Sequence, residues 1–141
     1  MKYQFYNELP QEAKMIREKV FMQEQGFHDE FDERDYHCLH FVLFKDQQPI
    51  GCARMYEDHH HMVLGRIAVL KEYRHLHLGS EILKQLENKA RKLGFDIVEL
   101  SAQVQAMNFY IKNGYQAYGE EYLDEFCPHI HMQKQLLSMK E

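Results

Sequence analysis

The stretch that decides the fold is residues 64–80, which read Leu64-Gly65-Arg66-Ile67-Ala68-Val69-Leu70-Lys71-Glu72-Tyr73-Arg74-His75-Leu76-His77-Leu78-Gly79-Ser80. An apolar strand ends near Val69, and a short loop then leads into a helix that opens around Gly79. A loop that feeds a helix N-terminus presents unpaired N–H groups and the positive end of the helix dipole. Arg74 adds a forked donor that suits phosphate oxygens, and Gly79 allows a ligand to approach the backbone closely. The segment therefore predicts an anion site.

The clearest helix of the chain follows this loop. Its apolar stripe at helical spacing consists of Ile82, Leu83, Leu86, Ala90 and Leu93. Gly94 suits the C-terminal stop, and residues 96–101 then predict a strand. A strand–helix–strand unit of this kind indicates a mixed α/β sheet with a right-handed crossover.

Three strands are predicted up to this unit, at residues 40–44, 50–56 and 62–69. The links between them are the turn sequences Asp46-Gln47-Gln48-Pro49 and Asp58-His59-His60. Links this short imply antiparallel hairpins.

The N-terminal segment predicts a helix from about Pro10 to Gln25, because proline suits the first helical turn and Gly26 suits its stop. The run that follows, residues 28–35, contains five carboxylates and one arginine. Such charges would repel each other in a packed core, so a solvated surface loop is the favoured interpretation. The alternative is that Glu30 and Asp32 line a cleft.

The C-terminal segment predicts a short helix over residues 106–112, ended by Asn113-Gly114, and closing strands at residues 115–122 and 129–136. The chain has 141 residues and a mass of 17.0 kDa, which fits one domain over residues 1–141. No repeat or linker divides it.

Composition and charge exclude several classes of protein. The net charge of −5, without a basic stripe, is not typical of nucleic-acid binding. No stretch approaches the ~20 apolar residues of a membrane span, and the N-terminus has no apolar signal core. Three cysteines without a C-x-x-C pair predict reduced thiols and a cytoplasmic protein.

A second informative segment runs from Ser101 to Tyr115. A strand ends there, a short helix follows, and Tyr110 lies one turn before a Gly-aromatic stop. A tyrosine hydroxyl beside a reacting centre can donate a proton to a leaving thiolate. The alternative is a core tyrosine that packs under the sheet.

Together, the two segments resemble the GNAT superfamily of acetyl-CoA-dependent N-acetyltransferases, and the resemblance covers most of the chain. The family's pyrophosphate loop, Gln/Arg-x-x-Gly-x-Gly/Ala, stands here as Arg74-His75-Leu76-His77-Leu78-Gly79. The family helix A-x-x-x-Tyr-x-x-x-Gly-Phe stands here as residues 106–115. The end of the chain, Pro128-His129-Ile130-His131-Met132, resembles a bacterial subgroup that often ends in Gly-x-Pro-His-x-x-Met, with Phe126 in place of that glycine.

This resemblance implies a GNAT fold with a mixed central sheet of about six to seven strands, flanked by helices, and acetyl-CoA as cosubstrate. The residues that it places against the cofactor are Ile67, Ala68, Val69, Arg74, His75, Leu76, His77, Leu78, Gly79, Ser80, Gln103, Asn108 and Tyr110. Two of them depart from the family pattern. His77 stands where a glycine is usual, and Gln103 stands where many members carry asparagine.

The implied reaction is direct acyl transfer in a ternary complex to a primary amine of an unidentified small molecule. Tyr110 would protonate the departing thiolate, and a backbone N–H near Val69 would polarise the thioester carbonyl. For the general base, His129 is one candidate, and Glu99 and Glu125 are others. His129 could equally serve only to hydrogen-bond a loop carbonyl. No sequence feature decides whether the chain forms a homodimer.

Two other classes of function compete with this interpretation. One is a GNAT-fold sensor that binds acyl-CoA without transferring the acyl group, against which Tyr110 argues. The other is metal binding by His59-His60-His61, or by His129 and His131 on one face of a strand. Because no third ligand stands at a diagnostic spacing, no metal is expected.

Overall fold

A computed structural model gives the structure of the protein and describes residues 1–136. The strands are β1 Lys2–Tyr6, β2 Leu39–Lys45, β3 Gln48–Asp58, β4 His61–Val69, β5 Ile97–Gln103, β6 Gln116–Asp124 and β7 Cys127–Gln135. The α-helices are α1 Gln11–Arg17, α2 Leu78–Lys92 and α3 Met107–Lys112. Short 3-10 turns precede β2, α2 and α3. The sequence thus predicted the type and order of the main elements that follow β1.

The seven strands form one mixed sheet in the order β1-β2-β3-β4-β5-β7-β6. β5 runs parallel to β4 in a register from Met62↔Val98 to Leu64↔Leu100, which confirms the strand–helix–strand unit. The pairs β1/β2, β2/β3, β5/β7 and β6/β7 are antiparallel. The predicted mixed α/β fold with about seven strands is confirmed.

The turn residues explain two of the hairpin links. Asp46 and Gln47 both have positive φ, 50° and 70°, and so do His59 and His60, 50° and 67°. Two successive left-handed residues are typical of the two-residue turns that suit strand twist. The flanking residues Gln48 and Pro49, which were predicted in the first turn, therefore lie in β3.

The first helix is α-helical only in its first half. Residues Glu18–Glu24 form a π-helix, and Gln25 N–H donates to the carbonyl of Val20 at 3.1 Å. The predicted limits, Pro10 to Gln25, were close, but uniform α-helix was wrong. The apolar spacing does not separate the two forms, because both place Ala13, Ile16 and Val20 in the core.

The chain divides into two compact units. The first comprises Met1–Tyr56 and Gly65–Gln85. Its apolar core contains residues of the first helix and of the sheet, namely Ala13, Ile16, Val20, Val42, Cys52 and Ala68.

The second unit contains Glu57–Leu64 and the chain from Leu86 onward. Its buried residues include Leu86, Ala90, Val98, Leu100, Tyr115 and Met132. Within it, the Tyr115 hydroxyl donates to Glu87 Oε2 at 2.8 Å, and Lys134 Nζ donates to Glu87 Oε1 at 2.9 Å. Among residues 1–136, no helix is long and apolar enough to cross a membrane.

The acidic run between the first helix and β2 is not simply a solvated loop. Glu30 and Asp35 are each only 4% exposed, and both bind Arg17, which is 1% exposed. Arg54 of β3 binds Asp32 and Asp35 at 2.7 and 2.8 Å. The expectation of mutual repulsion was wrong, because guanidinium groups from other segments neutralise the carboxylates.

Candidate active site

The loop between β4 and α2 contains two residues whose backbone conformation is the one usually adopted by glycine. His75 and His77 have φ of 66° and 61°, in the left-handed region that favours glycine. Histidine is among the few other residues enriched there. The departure at His77 from the family glycine therefore keeps a glycine-like backbone. Arg74, directly before His75, is extended, with φ of −76° and ψ of 164°.

The N-terminus of α2 opens from this loop. The first helical hydrogen bond runs from Glu81 N–H to the His77 carbonyl at 3.2 Å. The preceding N–H groups, those of Leu78, Gly79 and Ser80, consequently have no acceptor in the helical ladder. Their partial positive charge adds to the dipole of a 15-residue helix. This part of the predicted anion site has the required donors.

Beyond Leu64, where its pairing with β5 ends, β4 directs the backbone N–H and C=O groups of successive residues alternately toward β3 and away from it. Leu70 N–H donates to the Ile50 carbonyl of β3 at 2.9 Å, and the Arg66 carbonyl accepts the Cys52 thiol of β3 at 3.6 Å. Because successive strand residues point their backbone groups to opposite sides, Ile67 and Val69 direct theirs away from β3. These are the residues predicted to orient the cofactor, while Ala68 between them is buried.

Arg74 has partners that the sequence did not indicate. Its Nη atoms form a forked pair with the Glu24 carboxylate at 2.5 and 2.7 Å, and its Nε donates to the Val69 carbonyl at 3.0 Å. Hydrogen bonding to this carboxylate raises the pKa of Arg74 above its usual value. The side chain predicted for phosphate thus ties the loop to the π-helix.

Tyr110 lies on α3 in the second unit. Its ring makes edge contacts with Phe109 and Tyr115, at centroid distances of 5.0 and 5.9 Å. Burial raises the pKa of its hydroxyl to about 12, so the group stays protonated at neutral pH. A protonated phenol can donate a hydrogen bond or a proton.

The two amide residues predicted at the cofactor lie at either side of the turn into α3. Gln103 ends β5, and its Oε1 accepts Nε2 of Gln105 at 2.8 Å. Asn108 is exposed in the first turn of α3. The longer Gln103 side chain is therefore engaged with its own turn.

The three candidate bases lie in different surroundings. His129 is 7% exposed, and its Nδ1 lies 2.9 Å from the Cys127 carbonyl of the same strand, whereas the predicted structural alternative was a bond to a loop carbonyl. A bond to a carbonyl requires Nδ1–H, which leaves the lone pair of a neutral ring on Nε2. Glu99 pairs with His61 Nδ1 at 2.8 Å. Glu125 is exposed in the turn between β6 and β7, with φ of 54°.

The histidine clusters do not form a converging donor set in the described part of the chain. His59 is 92% exposed in its turn, and His131 stacks on Tyr118. The group of donor atoms within 4.8 Å is instead Asp35, Cys38 and His40. It fits a cation poorly, because the Asp35 oxygens already accept Arg17 and Arg54 and burial raises the pKa of the Cys38 thiol to about 11.

The sequence did not reveal the arginines that pair with the buried acidic run, which are Arg17, Arg54 and Arg66. A signal was available for two of them. Arg17 falls on the apolar face between Ala13 and Val20, and Arg54 falls inside an apolar strand. A charged residue at a core position implies an oppositely charged partner from elsewhere.

The chain is similar to acetyltransferases both in sequence and in fold. A family model described as "Acetyltransferase (GNAT) family" matches residues 3–115. The uncharacterised N-acetyltransferase YjcF of Bacillus subtilis is 37% identical, over 87% of this chain and 90% of its own. An acyl-CoA N-acyltransferase structure from Pseudomonas aeruginosa is 25% identical with a TM-score of 0.83, covering 94% of this chain and 98% of that one. A Bacillus subtilis acetyltransferase in complex with CoA shares the fold at 16% identity, with a TM-score of 0.75 and coverage of 96% and 99%.

Proposed function

This chain belongs to the acetyltransferase (GNAT) family, and we propose that it transfers an acetyl group from acetyl-CoA to a primary amine of a small molecule. The observation that carries the proposal is the pair of left-handed residues, His75 and His77, directly before α2. A left-handed backbone at these two positions would direct the N–H groups of the loop toward a bound anion. A pyrophosphate is the anion that acetyl-CoA would place there, and a relative in fold is a complex with CoA.

Two groups of backbone donors would hold the cofactor. The N–H groups from His75 to Ser80 would bind the pyrophosphate at the positive end of α2. The outward backbone groups of Ile67 and the N–H of Val69 would pair with the pantetheine arm, because the Val69 carbonyl already accepts Arg74 Nε. The N–H near Val69 would polarise the thioester carbonyl. Leu76, Leu78, Gln103 and Asn108 complete the proposed contacts. The Glu24 pair on Arg74 makes the backbone the main source of phosphate binding.

The reaction requires a neutral amine. Its nitrogen attacks the thioester carbon, the carbon–sulfur bond breaks, and the amine loses one proton. Tyr110 would donate to the sulfur as the thiolate forms. Because an ordinary thiol has a pKa of about 8.5, a phenol with pKa about 12 gives mainly a hydrogen bond to the leaving thiolate, which then takes its proton from water.

The proposed general base is His129, acting through Nε2, because the Cys127 carbonyl sets its tautomer. Glu99 and Glu125 are the other candidates for this role. The further proposals are a cytoplasmic location, consistent with three free thiols, and neither nucleic acid nor membrane as a partner. A homodimer stays open.

The test is isothermal titration of the pure chain with acetyl-CoA and with CoA. Low-micromolar binding of both would support the cofactor site, and thiol release with a panel of amines would then identify the acceptor class. Binding without turnover on any amine would favour the acyl-CoA sensor. If neither form of the cofactor bound, the proposal would be wrong.

A further inference from the structure

Arg66 interrupts the extended backbone of β4. Its φ is +50°, two residues after Leu64, the last residue of β4 in the register with β5. A residue with a Cβ is unfavourable in this conformation, so it persists only where the surrounding structure holds it. Arg66 directly precedes the proposed cofactor contacts Ile67 and Val69, so the groups that hold its conformation also affect how these two residues are oriented.

The side chain of Arg66 is held by the segment that precedes β2. Its Nε lies 2.8 Å from the Glu30 carboxylate, and its Nη2 donates to the Glu30 carbonyl at 2.9 Å. Glu30 is in turn fixed by Arg17, whose Nε donates to the same carboxylate oxygen at 2.9 Å. Because Glu30 is 4% exposed, this pair is only weakly screened by solvent.

The carbonyl of Arg66 is held separately. The Cys52 thiol donates to it at 3.6 Å, and burial raises the pKa of that thiol to about 12, which keeps the donor protonated. A trans peptide is planar, with its C=O and N–H on opposite sides. The N–H of Ile67 belongs to the same peptide as this carbonyl and therefore points away from Cys52.

We infer that Arg66 is a positioning residue: its ion pair with Glu30 holds a left-handed backbone that aims the N–H groups of Ile67 and Val69. The inference rests on the proposed function, because it assigns these amides to the acyl-CoA cofactor. Arg66 itself does not have to touch the cofactor. The alternative is that the ion pair only stabilises the acidic segment. The two roles predict different effects of glycine at position 66 on CoA binding.

The test compares Arg66→Ala with Arg66→Gly by calorimetric titration with CoA, alongside the unfolding temperature. Both variants lose the ion pair, but only glycine adopts φ of +50° without strain. We expect Arg66→Ala to raise the Kd about tenfold, and Arg66→Gly to stay within about threefold of the original chain. Arg34→Ala, which removes an exposed guanidinium over Tyr56, is the matched control with unchanged binding.

The outcomes distinguish the positioning role of Arg66 from the proposed function. If the original chain binds CoA and Arg66→Ala binds equally well, the positioning role is wrong while the proposed function stands. Equal losses in the alanine and glycine variants would also overturn it, because the backbone conformation would then not matter. No CoA binding by the original chain overturns both. If Arg66→Ala does not fold, Cys52→Ala tests whether the hydrogen bond to the Arg66 carbonyl positions the same backbone. We expect it to raise the Kd for CoA about threefold. Cys38→Ala is its control.

Discussion

The guanidinium of Arg17 and the carboxylate of Asp35 form a forked pair at 2.7 and 3.1 Å, and both side chains are buried. The pair joins the first helix to the acidic segment before β2. Arg54 shares the same carboxylate at 2.8 Å. Two cations on one buried carboxylate make this segment part of the core and make its stability depend on pH.

Acid should weaken the fold through Asp35. Burial alone would raise its pKa, but the hydrogen bonds from Arg17 and other donors lower it to about 2. A carboxyl whose pKa is lower in the folded chain stabilises it above the unfolded value of about 3.9, and this contribution is lost as the pH falls toward 2. We expect urea unfolding to show a loss of about 2 kcal/mol between pH 4 and pH 2 that Asp35→Asn lacks. Glu33→Gln, at an exposed position nearby, should keep the loss.

Releasing Arg74 should strengthen cofactor binding. Glu24→Gln removes the charge that holds the guanidinium, so that Arg74 can turn to the phosphates. We expect the Kd for CoA to fall about threefold at low salt, and less at high salt because of screening. Adding Arg74→Ala should cancel the gain, and Glu18→Gln on the same helix should have no effect. A gain that survives Arg74→Ala would contradict this role.

The conformation of His77 should matter more than its imidazole. Glycine adopts the left-handed region freely, whereas a β-branched residue is a genuine outlier there. His77→Gly should bind CoA at least as tightly as the original chain, and His77→Val should bind about tenfold more weakly. Leu123→Val, at an exposed position of β6, serves as the control in calorimetric titrations. Equal binding by the glycine and valine variants would show that the left-handed turn is not required.

Removing the hydroxyl of Tyr110 should slow turnover without loss of cofactor. Tyr110→Phe should lower kcat about 100-fold and change the Kd for acetyl-CoA less than threefold. Because its pKa is about 12, this phenol should add no alkaline limb to the rate profile between pH 6 and pH 10. Tyr118→Phe on the exposed strand β6 is the control. An unchanged kcat in Tyr110→Phe would exclude a hydrogen bond from this hydroxyl to the leaving thiolate.

Alanine substitutions at two glycines would measure separately the stability cost of a positive φ and the stability cost of a crowded Cβ. Gly94 and Gly114 have φ of 91° and 95°, but only at Gly114 would a Cβ meet a neighbour, Lys134 Cε at 3.1 Å. Gly94→Ala should lower the free energy of unfolding by about 1 kcal/mol, and Gly114→Ala by about 2 kcal/mol. Urea unfolding measures both. Equal losses would mean that the Lys134 side chain moves aside without cost.

The local pattern of the chain predicted most of its elements, but not the π-helical second half of the first helix. Apolar periodicity predicted the buried stripe of α2 at Ile82, Leu83, Leu86 and Ala90, but Leu93 lies beyond the helix and is 48% exposed. Gly94 and Gly114 follow helix ends with positive φ, which glycine adopts freely. The motif from Arg74 to Gly79 and the helix around Tyr110 identified the family, which the family model then confirmed. Each of these signals lies within one short segment, and local backbone sterics and burial determine it.

The tertiary structure alone decided which partners the charged side chains find. Glu30 and Arg66 are 36 residues apart in sequence, and Arg74 and Glu24 are 50 apart. Composition predicted repulsion in the acidic segment, because a sequence does not show which cations the fold brings to it. Position 77 shows the same limit: histidine stands where the family usually has glycine, and the fold keeps its backbone in the conformation of glycine. Ion pairing and backbone direction depend on distance in space, and only the folded chain sets that distance.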